Sequence, residues 1–290
     1  MRRNVLTATT FIMLFAAGLS AQEVRPEYTR PLEPFRVVGN LYYVGGYGLC
    51  SYLITTPAGH ILINSGIPGS MSSIRTSIES LGFKFSDIKI LMATHAHWDH
   101  VGDMAALKKA TGAPVMMHVG DIPMLEGGGN IDYRYREPQK QKYEPVKVDR
   151  ALIDGDKVKL GDTELTVLHH PGHTMGSSSF MFTTQESGRS FNVLIANMAT
   201  TNEEINYFES PAYPTSIEDY RTTFEKQKKL TPDVWVSSHA HHFRLHDKYK
   251  AGTPYDPMRF YDPKGYLAMV ERNEKEYLKK IQEDRQAKAK

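Results

Sequence analysis

The stretch Thr94-His95-Ala96-His97-Trp98-Asp99-His100 constrains this chain more than any other. Four of its seven residues are good transition-metal ligands, and it directly follows Ile88 to Ala93, an apolar run of strand character. A buried strand therefore delivers a ligand-rich loop at its end. In an extended segment His95 and His97 project to the same side and can reach one ion, while Asp99 and His100 fall where the chain turns towards a helix and can reach a second. An incidental histidine-rich surface loop would need neither the apolar strand before it nor the histidines that come after it.

Around that loop the chain reads as mixed α/β. Arg36 to Val38, Leu41 to Val44, Ser51 to Thr55 and His60 to Asn64 are β-branched or aromatic runs separated by turn residues, which predicts an antiparallel meander. Met71, Ile74, Ile78 and Leu81 recur at helical spacing, closed by Gly82; Met104 to Ala110 is a second helix, stopped by Gly112. With Pro114 to Met117 as the next strand, the ligand loop sits in a βαβ-like passage, the usual place for a site in such layers. Gly127 to Val146 is polar, with three consecutive glycines and three tyrosines, and is expected to be a mobile loop or lid. Lys157 to Leu160, Glu164 to Leu168, Ser179 to Thr183 and Phe191 to Ala196 read as strands. Ile217 to Leu230 is helical, Val234 to Val236 a buried strand, and Gly265 onwards a long charged helix. Two strand-rich halves, each followed by helices, predict a four-layer αβ/βα sandwich, with no repeat in the residues themselves.

Residues 1–21 have a basic start, an apolar stretch from Phe11 to Ala17 and small residues before Gln22, the pattern of a secretory signal peptide rather than a spanning helix. A periplasmic or secreted location is therefore expected, with 22–290 as a single domain opening on an extended arm from Gln22 to Phe35. No other stretch reads as a membrane span. The leader holds two Arg and no acid, so the remainder balances 35 − 2 = 33 basic against 33 acidic residues, which argues against a nucleic-acid partner. A monomer is expected. The one cysteine, Cys50, lies in a strand-like run and suits core packing better than ligation. Any metal site must then be built from His and carboxylate.

Two further histidine stations lie at strand ends. His173 follows a Pro171-Gly172 turn, and His239 follows the Val234 to Val236 strand. After a metal-type loop, ligation is the better reading for both. Solvated or supporting roles fit His169, His170, His241 and His242, which lack ligand spacing. His60, His118 and His246 read as structural or surface residues. Ser177, Ser178 and Ser179 have no visible activating base, so no protein nucleophile is expected.

The pattern His-x-His-x-Asp-His after a strand, with Pro171-Gly172-His173-Thr174-Met175-Gly176-Ser177 and Ser238-His239, resembles the metallo-β-lactamase superfamily over nearly all of residues 22–290. Asn40 to Gly46, Cys50 to Gly59, Val146 to Arg150 and Tyr261 to Tyr266 are similar to segments of the class B β-lactamases of subclass 3. The resemblance implies two zinc ions, one held by His95, His97 and His173 and the other by Asp99, His100 and His239, with a β-lactam as substrate. Zinc lowers the pKa of bound water to about 7, so the nucleophile would be a hydroxide held by the metals, hydrogen-bonded by Asp99. His97 and Asp99 would thus be the catalytic pair. Subclasses 1 and 2 would need a cysteine on the second ion, and Cys50 is in the wrong place.

Other hydrolases on the same scaffold are the alternative: lactonases, glyoxalase-type thioesterases or phosphodiesterases. In those an Asp bridging both metals is expected on the strand between the His173 and His239 stations, and that strand with its exit, Phe191 to Thr200, contains none. By the same resemblance Asn64 stands where an Asp usually supports the metal loop, and Met198 and Thr200 stand where hydroxyl residues hold the substrate carboxylate.

Overall fold

The computed structural model describes residues 24–134, 142–203 and 205–289. The expected leader lies outside them. The arm, expected to be extended, carries one helical turn, α1 (Pro26–Thr29), before the first strand. The meander is β1 (Phe35–Val38), β2 (Leu41–Tyr43), β3 (Tyr52–Thr56) and β4 (Gly59–Ile63), all antiparallel neighbours. After α2 (Met71–Ser80) the chain lays β5 (Ile88–Met92) parallel to β4, turns through α3 (Trp98–Val101) and α4 (Met104–Thr111), and adds β6 (Val115–His118) parallel to β5. A short α5 (Ile122–Glu126) precedes β7 (Arg150–Leu152), which completes a seven-stranded sheet in sequence order.

The second sheet has five strands in the order β12-β11-β10-β9-β8: β8 (Lys157–Leu160), β9 (Thr163–His169), β10 (Ser178–Glu186) and β11 (Arg189–Ala196) are antiparallel, and β12 (Val234–Ser237) joins β11 in parallel. Helices α6 (Ser216–Gln227), α7 (Leu245–Lys248) and α8 (Pro263–Lys288) finish the chain.

Side-chain alternation explains why two sheets stack. On β4, Ile61 and Ile63 join the core between the sheets with Tyr52 and Ile54 of β3 and with Val167, Phe180, Phe182 and Val193 of the second sheet. Leu62 and Leu53 point the other way, into a second cluster with Ile74 and Ile78 of α2 and Leu107 of α4. Tyr220 and Phe224 of α6 and Val270 and Tyr277 of α8 cover the second sheet. The result is the four-layer αβ/βα sandwich.

Helix ends follow the local chemistry. Asp262 caps α8 by accepting the Gly265 N–H at 2.9 Å, with Pro263 in the first turn. Gly112 ends α4 at φ +70°, a left-handed conformation that a glycine adopts without a Cβ clash. Among the described residues no helix is long and apolar enough to cross a membrane.

Candidate metal centre

The ligand loop leaves β5 at Met92 and is fastened from beneath by Asn64. That residue sits just past β4 at φ +66°, a conformation asparagine tolerates better than most residues. Its carboxamide oxygen accepts the Thr94 N–H at 3.0 Å and the Thr94 hydroxyl at 3.2 Å, while its NH2 donates to the Cys50 carbonyl at 3.3 Å. The Thr94 hydroxyl also lies 3.3 Å from His95 Nδ1 and 2.9 Å from Ser238 Oγ. Asn64 therefore supports the loop through Thr94 and touches no histidine itself.

His95, His97 and His173 bring one nitrogen each to within 4.8 Å of one another. His173 Nδ1 is 2.9 Å from the Thr200 carbonyl, so a proton on that nitrogen leaves Nε2 as a free lone pair. Nε2 of His95 and of His97 are buried without a hydrogen-bond partner among the described residues. Buried polar atoms seldom lack a partner; His97 Nε2 faces Asp132 Oδ2 at 3.7 Å, whereas the unpartnered Nε2 of His95, in a group whose nitrogens lie within 4.8 Å of one another, marks a place for a cation.

Asp99 and His100 on α3 meet His239, which follows β12, in a second group of the same compactness. The facing Nε2 atoms of His100 and His239 are 3.2 Å apart, and Asp99 Oδ2 lies 3.4 and 3.5 Å from them. Burial lowers the pKa of all five histidines, His100 to about 3 and His173 to about 4. Burial opposes ionisation of Asp99, yet its carboxyl is held below the usual range by the surrounding His100, His239 and Arg134. Neutral imidazoles and an ionised carboxylate are the forms a metal requires. Five nitrogens, a carboxylate and no thiolate fit zinc in an open rather than a structural site. Cys50 is buried on β3's approach, with its thiol pushed up to about 12 by burial.

The loops are held by residues that carry no metal-ligand spacing and were missed for that reason. Asp121, wholly buried, accepts N–H bonds from Ala96 at 2.8 Å and Gly176 at 2.7 Å and the Thr174 hydroxyl at 2.8 Å. Tyr143 donates to the Ala96 carbonyl at 2.7 Å, Tyr133 to the His173 carbonyl, and Asn197 to the Thr94 carbonyl at 3.2 Å. The Tyr28 ring of the arm stands 6.1 Å from His239 and 6.4 Å from Trp98. Their signal was weak, since an isolated Asp or Tyr in a loop has no periodicity to read.

Other expectations met different outcomes. Thr200 does lie at the centre, but against the His173 ring. Met198 is 1% exposed within the core between the sheets, so its side chain is not available to a substrate carboxylate there. The loop expected to be mobile has packed ends: Tyr143 and Val146 are buried, and residues 135–141 lie outside the described residues. His170 and His242 are buried on Ser179 and Ser237, at 2.7 and 3.0 Å.

The sequence pattern of the Metallo-beta-lactamase superfamily matches residues 48–189. Among solved structures, the metallo-β-lactamase GOB-18 from Elizabethkingia meningoseptica is 45% identical with a TM-score of 0.87, covering 91% of this chain and 97% of that one. The class B3 di-zinc metallo-β-lactamase LRA-12 from an Alaskan soil metagenome is 44% identical with a TM-score of 0.87, covering 90% of this chain and 98% of that one. A curated hydroxyacylglutathione hydrolase from Rhodospirillum rubrum is 30% identical over 115 residues, which are 40% of this chain and 36% of that hydrolase.

Proposed function

The chain belongs to the metallo-β-lactamase superfamily, and from that premise we propose that it is a zinc-dependent β-lactamase of class B, subclass 3, hydrolysing penicillins, cephalosporins and carbapenems and so conferring antibiotic resistance. His95, His97 and His173 would hold one ion and Asp99, His100 and His239 the other. When bound, such a pair supplies an activated water at neutral pH and a Lewis acid for the lactam carbonyl.

The chain's own residues set the rest. Thr200 and Thr94 fix the rings of His173 and His95 so that their Nε2 atoms face the centre. Asp99, kept ionised between two imidazoles, accepts a hydrogen bond from the attacking water and orients it towards the lactam carbonyl. His97 completes the first group and is needed for turnover. The Thr200 hydroxyl helps hold the substrate carboxylate. Residues 1–21 direct export to the periplasm, where the protein acts as a monomer.

The observation that carries this reading is the pair of adjoining three-residue groups, which share no member among the described residues. A thioesterase of the hydroxyacylglutathione hydrolase type is the second reading, favoured by the curated relatives, although the chain spans only about a third of their length. The exit of β11, Asn197-Met198-Ala199-Thr200, offers no carboxylate to bridge two ions. A panel of a carbapenem, a cephalosporin, a homoserine lactone, a hydroxyacyl-glutathione thioester and a phosphodiester, with and without chelator, separates the two. Chelator-sensitive turnover of the lactams is expected; turnover of the thioester alone would replace the lactamase reading.

A further inference from the structure

Asp121 lies on the link between β6 and α5, a segment that supplies no member of either histidine group. It is nevertheless where two ligand loops meet. Its Oδ2 accepts the N–H of Ala96, the residue between His95 and His97, at 2.8 Å, and the hydroxyl of Thr174, the residue after His173, at 2.8 Å. Its Oδ1 accepts the Gly176 N–H at 2.7 Å. One carboxylate thus spans the His95–His97 station and the His173 station, and it is 0% exposed.

The surrounding backbone is shaped to let it approach. A Cβ on Gly176 would stand 2.4 Å from the Asp121 nitrogen and 2.7 Å from its Cγ, and one on Gly120 would stand 2.5 Å from the Met175 carbonyl oxygen. Both positions exclude a side chain because the two loops touch main chain to main chain. Beside this seam the His118 and His169 rings stack with centroids 3.8 Å apart, and His169 Nε2 lies 2.8 Å from the Met175 carbonyl. The contact is therefore a built joint, with glycines and stacked rings on either side of the carboxylate.

We propose that Asp121 is a positioning residue that sets the spacing of His95, His97 and His173 and thereby the metal affinity of that group. The proposal rests on the reading of those histidines as metal ligands. All three groups facing the carboxylate are donors. An asparagine can accept with one atom only, so in either orientation its NH2 meets an N–H or a hydroxyl that was donating. Loss of supporting contacts behind metal ligands typically weakens affinity roughly 10 to 100-fold.

The test measures zinc binding by competition with a chromophoric chelator, and the melting midpoint of the metal-free protein, in the full chain. Asp121→Asn is compared with Asp284→Asn, a buried carboxylate that accepts the Tyr207 N–H at 3.0 Å on the far side of the second sheet. Thr174→Val, which removes one donor while keeping its bulk, serves as the milder variant should Asp121→Asn not fold. The expected result is that Asp121→Asn weakens one of two zinc sites roughly 10 to 100-fold, Thr174→Val weakens the same site less, and Asp284→Asn lowers the midpoint with zinc binding intact. Unchanged chelator curves for both Asp121→Asn and Thr174→Val would overturn the proposal, whatever their midpoints. A wild-type protein that binds no zinc would overturn the metal reading beneath it, a distinguishable outcome.

Discussion

Single residues at the centre are set by what their hydrogen-bond partners demand, and Asn64 shows this best. Its oxygen accepts from Thr94 and its NH2 donates to the Cys50 carbonyl. Asn64→Asp brings a charge towards the His95 loop but loses that donor and turns an oxygen on the Cys50 carbonyl. We expect tighter zinc binding by chelator competition together with a metal-free protein destabilised by about 1–3 kcal/mol, read from denaturant unfolding. Tighter binding with no loss of stability would mean that the Cys50 contact is not formed. Thr200 divides in a similar way: its carbonyl holds His173 at 2.9 Å, and its hydroxyl, 3.3 Å from the same ring nitrogen, is the group proposed to serve a substrate. Thr200→Ala should therefore keep its zinc and raise KM more than it lowers kcat in steady-state cephalosporin hydrolysis. An unchanged KM would assign the hydroxyl to His173 alone. The ligand candidates themselves were legible from spacing, because His and Asp at strand ends form a pattern. Asp121, Tyr133 and Tyr143 were not, because their partners lie 25 to 55 residues away in sequence.

At the scale of elements, periodicity gave the strands and longer helices to within a few residues and passed over the shortest pieces. β5 was read as Ile88 to Ala93 and spans Ile88–Met92; α4 ends on Gly112 as its spacing required. α1, α3 and α7, each of four residues, and α5, of five, are too short to show a helical repeat, and β7 has three residues of which two are exposed. α3 matters most among these, since it turns Asp99 and His100 away from the extended side of His95 and His97 and so separates two groups. The sheets are the rigid base for these turns. Phe180, 1% exposed on β10 between the sheets, should cost about 3–5 kcal/mol when cut to alanine. Chemical denaturation measures this; a cost under about 1 kcal/mol would mean that the second sheet is loosely packed at that position.

For the whole molecule, buried histidines make stability depend on pH. Burial holds His170 at about 3 and His118 at about 4, against an ordinary 6.5, with Lys226 and His169 as the next contributors respectively. Between those values the unfolded chain takes up protons that the folded chain refuses, so their stabilisation is complete above 6.5 and is lost as pH falls towards the folded values. Asp121 works in the opposite sense: burial raises it to about 6, so its contribution is fullest below 3.8 and is lost as pH rises to 6. One carboxyl is outweighed by His118, His170 and the five histidines of the centre. The melting midpoint of metal-free protein should fall steadily from pH 6.5 to 4, and less steeply in His170→Asn; a flat profile would contradict the buried, neutral state of these rings. Zinc should raise the midpoint, since it binds the folded chain. The most direct measurement of the central claim is a zinc titration of chelator-stripped protein while carbapenem hydrolysis is followed. The account predicts no turnover without metal, recovery as zinc is added up to two equivalents, and no recovery in a variant lacking His97. Full turnover by the metal-free protein would contradict it.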